Sequence, residues 1–266
     1  MGEVNYKPLI DDMVWSFSRA DSYGSCPHRW YLRYIRRCKE KDKFYASYGT
    51  FMHKLIEQYY NGELTKAEML TTFLRDFKKE VRGFRPKEGT LKKFIDGAVA
   101  YLTNFEPFPY KMVAVEKKVE FEIEGIKFIG YIDFLGQDES DGEFVVIDNK
   151  SRDLKPRSTR AKPTVKDKEL DEILRQLYIY CIAVEQEYGK LPKALCINCF
   201  RTGTFITEPF NKEAYEEAKK WVVERVEEIR QDEDFDPKPD LFQCFWICGV
   251  SDNCEHNASP WKGRTR

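Results

Sequence analysis

The chain has 266 residues, 42% of them hydrophobic and 15% aromatic. That is enough to build a sizeable core, and no Gly/Ser/Pro-rich linker divides it, so one elaborated domain over 1–266 is the expectation. Lys plus Arg total 44 against 45 for Asp plus Glu, a balance that argues against nonspecific coating of nucleic acid but allows an enzyme with a local basic patch. No window approaches ~18 uninterrupted apolar residues, so no membrane-spanning helix is expected. The N-terminus lacks a basic start followed by an apolar run, and we expect a reducing, cytoplasmic setting.

In chain order, residues 16–35 read as helix, with Ser18 and Asp21 spaced as in a capping box and Cys26-Pro27 as an interruption. Arg29, Arg33, Arg36, Arg37, Lys39, Lys41 and Lys43 then make a basic run. A second helix is predicted over 48–60, where Phe51, Met52, Leu55, Ile56, Tyr59 and Tyr60 recur at helical spacing, and Asn61-Gly62 closes it. Residues 66–82 and 91–104 predict further helices. The period then changes to two. Residues 112–123 and 126–135 read as strands joined by a Glu124-Gly125 turn, and 143–150 as a third, giving an antiparallel meander. A second basic run, with Arg152, Lys155, Arg157, Arg160, Lys162, Lys166 and Lys168, leads to a helix over 169–188. Strands are expected over 194–200 and 204–210, and a long amphipathic helix over 211–230, in an acidic stretch that runs to Asp240. The fold class is α/β, with flanking helices and a helical insertion before the sheet.

The third strand carries the chemistry. Side chains alternate along it, so Asp148 and Lys150 share one face, ~7 Å apart at their backbones. Asp133 is the only charged residue between Phe128 and Leu135. An acid in so apolar a stretch is costly unless it is paired or binds a metal. The hairpin can bring it near Asp148, and a divalent cation would relieve the repulsion between them. Each residue alone would fit an ordinary solvated or salt-bridged charge; their joint occurrence on adjacent strands points to a site.

Four segments resemble the PD-(D/E)XK nuclease superfamily, in the branch of RecB-type nuclease domains and CRISPR spacer-acquisition nucleases. They are Gly49-Thr50-Phe51-Met52-His53, Gly130-Tyr131-Ile132-Asp133, Asp148-Asn149-Lys150 and Gln176-Leu177-Tyr178-Ile179-Tyr180. They lie in the expected order. The resemblance implies a restriction-endonuclease-like core over 48–231 between an N-terminal arm (1–47) and a C-terminal segment (232–266). It implies that His53, Asp133, Asp148 and the Asn149 carbonyl hold Mg²⁺ or Mn²⁺ and that Lys150 positions the attacking water. Glu57, one turn after His53, is expected to orient its ring. Gln176 and Tyr180 share a helix face and, with Arg152, Lys155 and Arg157, are expected to contact DNA. The implied activity is metal-dependent DNA hydrolysis, exonucleolytic before endonucleolytic, on ends or single strands in recombination, repair or phage DNA processing. Helicases or recombination proteins are the implied partners. The alternatives are a non-catalytic DNA-binding module on this fold and a structural metalloprotein.

Of the eight cysteines, Cys26, Cys244, Cys248 and Cys254 resemble the set that holds a 4Fe–4S cluster in an iron–sulfur subset of that branch, which would join the two ends of the chain. The Cys244–Cys248 spacing is one residue longer than is common there. Zinc on the same thiols, with His256 able to replace one, is the alternative, and free thiols the plainest reading. Cys38, Cys181, Cys196 and Cys199 read as packing or surface thiols.

Overall fold

A computed structural model describes residues 6–259; residues 1–5 and 260–266 of the expected domain lie outside the described residues. The N-terminal segment holds α1 (Lys7–Asp11), α2 (Phe17–Ser25) and α3 (Pro27–Trp30), the last continuing as a π-helical turn over Tyr31–Ile35. Ser16, not Ser18, caps α2: its Oγ accepts from Arg19 N at 3.2 Å. Ser18 lies inside the first turn. The Cys26-Pro27 break separates α2 from α3 because the residue before a proline favours extended backbone, here φ −168° and ψ 106°, while Pro27 is well placed to start a helix.

Three helices follow, α4 (Phe44–Tyr60), α5 (Lys66–Glu80) and α6 (Glu88–Thr103). Their apolar faces form a core of their own around Phe44, Tyr48, Phe73 and Phe94, closed by Phe200. This is the helical insertion that the periodicity predicts.

The sheet has five strands in the order β1 (Lys111–Ile123), β2 (Ile126–Gln137), β3 (Phe144–Lys150), β4 (Ala194–Cys199) and β5 (Thr204–Pro209). The first three form the predicted meander. β4 runs parallel to β3, which two strands can do only through a long crossover. The basic loop and α7 (Val165–Tyr188) supply it. β5 returns antiparallel at the edge, and α8 (Lys212–Gln231) packs beside α7 in the main core.

α7 begins four residues before the predicted start. Thr164 Oγ1 accepts from Asp167 N at 3.2 Å, and Asp167 accepts from Thr164 N at 2.6 Å, a reciprocal cap. Asp167 also accepts from Ser158 N and Oγ, both at 2.7 Å. These bonds hold its carboxyl well below the usual carboxylate range, and they tie the basic loop to the helix. At the far end Gly189, at φ 70°, terminates α7 in a left-handed conformation that glycine adopts without strain.

The N-terminal segment packs into the main core. Trp15 N donates to Lys127 O and Ile129 N donates to Trp15 O, both at 2.8 Å, and the indoles of Trp15 and Trp30 are fully buried and stacked. The C-terminal segment reaches the same place, where Phe235 stacks on Trp30 at 5.6 Å. Among the described residues no helix is long and apolar enough to cross a membrane. Thr164→Ala removes one half of the α7 cap and is expected to cost about 1 kcal/mol, read as a lower urea midpoint at unchanged m-value.

Candidate active site

The hairpin of β1 and β2, with β3 beside it, gathers the acids. Asp133 is 8% exposed and Asp148 2% exposed. Asp133 Oδ2 accepts from the backbone N–H of Asn149 at 2.6 Å, which locks β2 to the end of β3. Asp148 Oδ2 is buried, faces Lys150 Nζ at 2.7 Å, and otherwise has no hydrogen-bonded partner. An ionised oxygen so placed has unused coordination capacity.

His53 comes from the middle of α4. Its Nε2 donates to the Asn149 carbonyl at 2.9 Å. Its Nδ1 stands 3.4 Å from both Glu116 Oε1 and Asp133 Oδ2. Both ring nitrogens face acceptors, which suits an imidazolium. Burial alone would lower the pKa of His53, but the Asp133 carboxylate, the Glu116 contact and Asp148 outweigh it and lift it to about 9. The ring is thus oriented by Glu116, Asp133 and Asn149 rather than by Glu57, the residue expected from helical spacing. Burial, reinforced by Asp148, raises Asp133 above the ordinary carboxylate range, with His53 and Lys150 opposing.

Glu116 is the residue that the sequence reading passed over. It sits in β1 between Val115, paired with Phe134, and Lys117, paired with Ile132, and so opposite Asp133. Its backbone is left-handed, φ 44°, a conformation that costs a non-glycine residue about 1–3 kcal/mol and is concentrated at functional sites. Ligand atoms of His53, Glu116 and Asp133 all lie within 4.8 Å of one another.

Lys150 is fixed from the other side. Its Nζ donates to Gln176 Oε1 at 2.9 Å, and Gln176 Nε2 donates to Tyr180 OH at 3.0 Å. An unbroken chain therefore runs from α7 through Gln176 to Lys150 and Asp148. α7 can come so close because residue 130 is glycine: a Cβ there would lie 2.6 Å from Tyr180 Cε1. Of the basic loop, Arg157 is paired with Asp171 at 2.7 Å and Glu208 at 2.8 Å, and Lys155 with Asp153 at 3.0 Å. Arg152 acts electrostatically on Asp21. Arg157 is held against α7 and β5, so its cation is already compensated.

The donor set fits a hard divalent ion. His53, Glu116 and Asp133 offer an imidazole and two carboxylates whose ligand atoms lie within 4.8 Å of one another, a spacing one hard divalent ion can bridge, while the Asn149 carbonyl faces the other ring nitrogen.

A family model described as the PD-(D/E)XK nuclease superfamily matches residues 14–256. The chain belongs to that superfamily. Membership implies a metal-dependent nuclease. The fold of this PD-(D/E)XK chain is also similar to a crystal structure from Eubacterium rectale named "Putative exonuclease", with a TM-score of 0.54 at 15% identity, covering 100% of this chain and 96% of the other. The structure of a protein named SSO0001 aligns at 14% identity over 91% of this chain and 94% of its own, with a TM-score of 0.32. No curated protein sequence matches.

The electrostatics of this PD-(D/E)XK site give a pH prediction. A dication held by His53 would require its imidazole neutral, whereas the surrounding carboxylates lift its pKa to about 9. Metal binding at pH 7 should therefore expel at least about one proton, and affinity should climb as pH rises toward 9. Calorimetry of Mg²⁺ or Mn²⁺ binding in buffers of different ionisation heat reads this directly; an enthalpy independent of the buffer would contradict it.

Proposed function

We propose that the protein is a divalent-metal-dependent deoxyribonuclease that hydrolyses phosphodiester bonds at DNA ends or in single strands. The observation that carries this reading is the packing of His53, Glu116 and Asp133 around one point, with the Asp148–Lys150 pair beside it. His53, Asp133, Asp148 and the Asn149 carbonyl would hold Mg²⁺ or Mn²⁺, with Glu116 completing the set. When bound, the ion polarises the scissile phosphate and lowers the pKa of the attacking water.

The chain's own groups do the rest. Lys150 orients the water and stabilises the negative charge that grows on the phosphoryl oxygens. Gln176 and Tyr180 keep the ammonium on the Asp148 side, so that it does not swing to solvent between turnovers. Their polar ends also border the site, where a DNA strand passes. Beside the Arg33–Glu40 and Lys54–Glu80 ion pairs, at 2.8 Å and 3.8 Å, the cations Arg29, Lys43 and Arg82 line a groove along α4, the helix that carries His53. They grip the phosphate backbone without reading sequence. Exonucleolytic action is supported by the fold-level likeness to the "Putative exonuclease". A helicase or recombination protein that delivers DNA ends would suit such an enzyme.

Lys150→Ala is expected to lower cleavage of end-labelled single- and double-stranded DNA by about 10²–10³-fold, with an unchanged circular-dichroism spectrum and cleavage in the parent strictly dependent on Mg²⁺ or Mn²⁺. A variant as active as the parent would remove Lys150 from the mechanism. Release of mononucleotides from the label before any internal fragment would mark an exonuclease.

The four terminal cysteines are read as ligands of a 4Fe–4S cluster. Cys26, Cys244, Cys248 and Cys254 line one cavity. Cys26 Sγ accepts from Arg29 N and Lys238 N, both at 3.4 Å. Zinc at ~2.3 Å from each thiolate would draw the sulfurs to ~3.8 Å apart. Among the described residues no three of these sulfurs lie within 4.8 Å of one another. Protein purified without oxygen should be brown, with four iron atoms per chain, and Cys244→Ser should be colourless. Stoichiometric zinc in a colourless parent would favour zinc instead.

A further inference from the structure

We propose that His28, Glu255 and His256 form a second, separate site for a divalent transition metal of the Zn²⁺ class, which fastens the C-terminal segment to α3. Two Cys-x-His sequences, Cys26-Pro27-His28 and Cys254-Glu255-His256, lie at opposite ends of the chain and meet in the fold. Ligand atoms of His28, Glu255 and His256 all lie within 4.8 Å of one another. The two imidazoles stand edge to face with centroids 5.0 Å apart, and one carboxylate oxygen of Glu255 faces each ring. His28 Nε2 is 3.6 Å from Oε2, and His256 Nε2 is 3.5 Å from Oε1.

Those separations are long for charge-assisted hydrogen bonds, which run to ~2.7–2.9 Å. They are close to the ~3.4 Å between neighbouring ligands that stand ~2.0–2.1 Å from one tetrahedral ion. His28 Nε2 is moreover buried without a hydrogen-bond partner. A buried ring nitrogen with a carboxylate oxygen as far as 3.6 Å away gains more from a coordinated ion than from so long a contact. Two imidazoles and one carboxylate are a donor set that zinc accepts, and three protein ligands leave a fourth position for solvent. The cysteine cavity lies alongside, but the group needs no sulfur.

The test uses the full chain with Asp133→Ala, which removes a central ligand of the nuclease site, and adds Co²⁺ alone as a spectroscopic stand-in for Zn²⁺. One equivalent should bind, and the difference spectrum should show weak d–d bands without thiolate-to-cobalt charge transfer. Adding His256→Ala or Glu255→Ala should weaken that binding by at least about tenfold. Both are exposed positions whose loss leaves the fold intact, as the circular-dichroism spectrum would show. Absence of cobalt binding, binding that neither change weakens, or a charge-transfer band from cysteine sulfur would overturn the proposal.

Discussion

Bringing Asp133 and Glu116 against His53, with buried Asp148 near enough to act on both His53 and Asp133, is the constraint around which the site is built. Carboxylates crowded in a medium of low dielectric repel one another, and each has lost water. The surrounding structure answers that cost piece by piece. The Asn149 amide donates to Asp133, the Lys150 ammonium faces Asp148, and His53 takes up a proton among all three acids. These compensations are partial, because Asp148 keeps a buried oxygen with capacity to spare. A dication held here would complete them, so that binding the ion and relieving strain in the protein would be one event.

Much of this was legible beforehand. The change from helical to alternating periodicity near residue 110 marks the boundary between the helical insertion and the sheet. Asp133 stood out because it is a lone charge in an apolar strand. What escaped notice was set by pairing rather than by pattern. Glu116 alternates with Lys118, Glu120 and Glu122 and looks like one more residue of a solvated face. The tight Glu124-Gly125 turn nevertheless pairs Ile123 with Ile126, and counting back along both strands puts Glu116 opposite Asp133. The signal was therefore present in the turn. Glu57 failed for the opposite reason. Helical spacing gave it proximity to His53, but three acceptors from the sheet surround the ring more closely.

The two ends of the chain illustrate how distant segments share one task. The segment before α4 and the segment after α8 both contribute aromatic rings to the stack of Trp15, Trp30 and Phe235. Cysteine and histidine pairs from each end meet beside that stack. Small apolar contacts there, such as Leu32 with Cys248 and Val250, would close the ends weakly by themselves. Ligand bonds to metal would make the closure firm, and would couple the folding of both ends to the supply of metal.

Gly130 has a bearing on the site out of proportion to its size. It touches no acid, yet it sets how low α7 rides over β2, since the Tyr180 ring rests where a side-chain carbon would be. Gln176 lies one turn before Tyr180 on the same helix and reaches Lys150 only at that height. The bare backbone at residue 130 therefore works as a depth gauge: it fixes the distance between helix and sheet, and with it the placement of an ammonium twenty residues further along the chain.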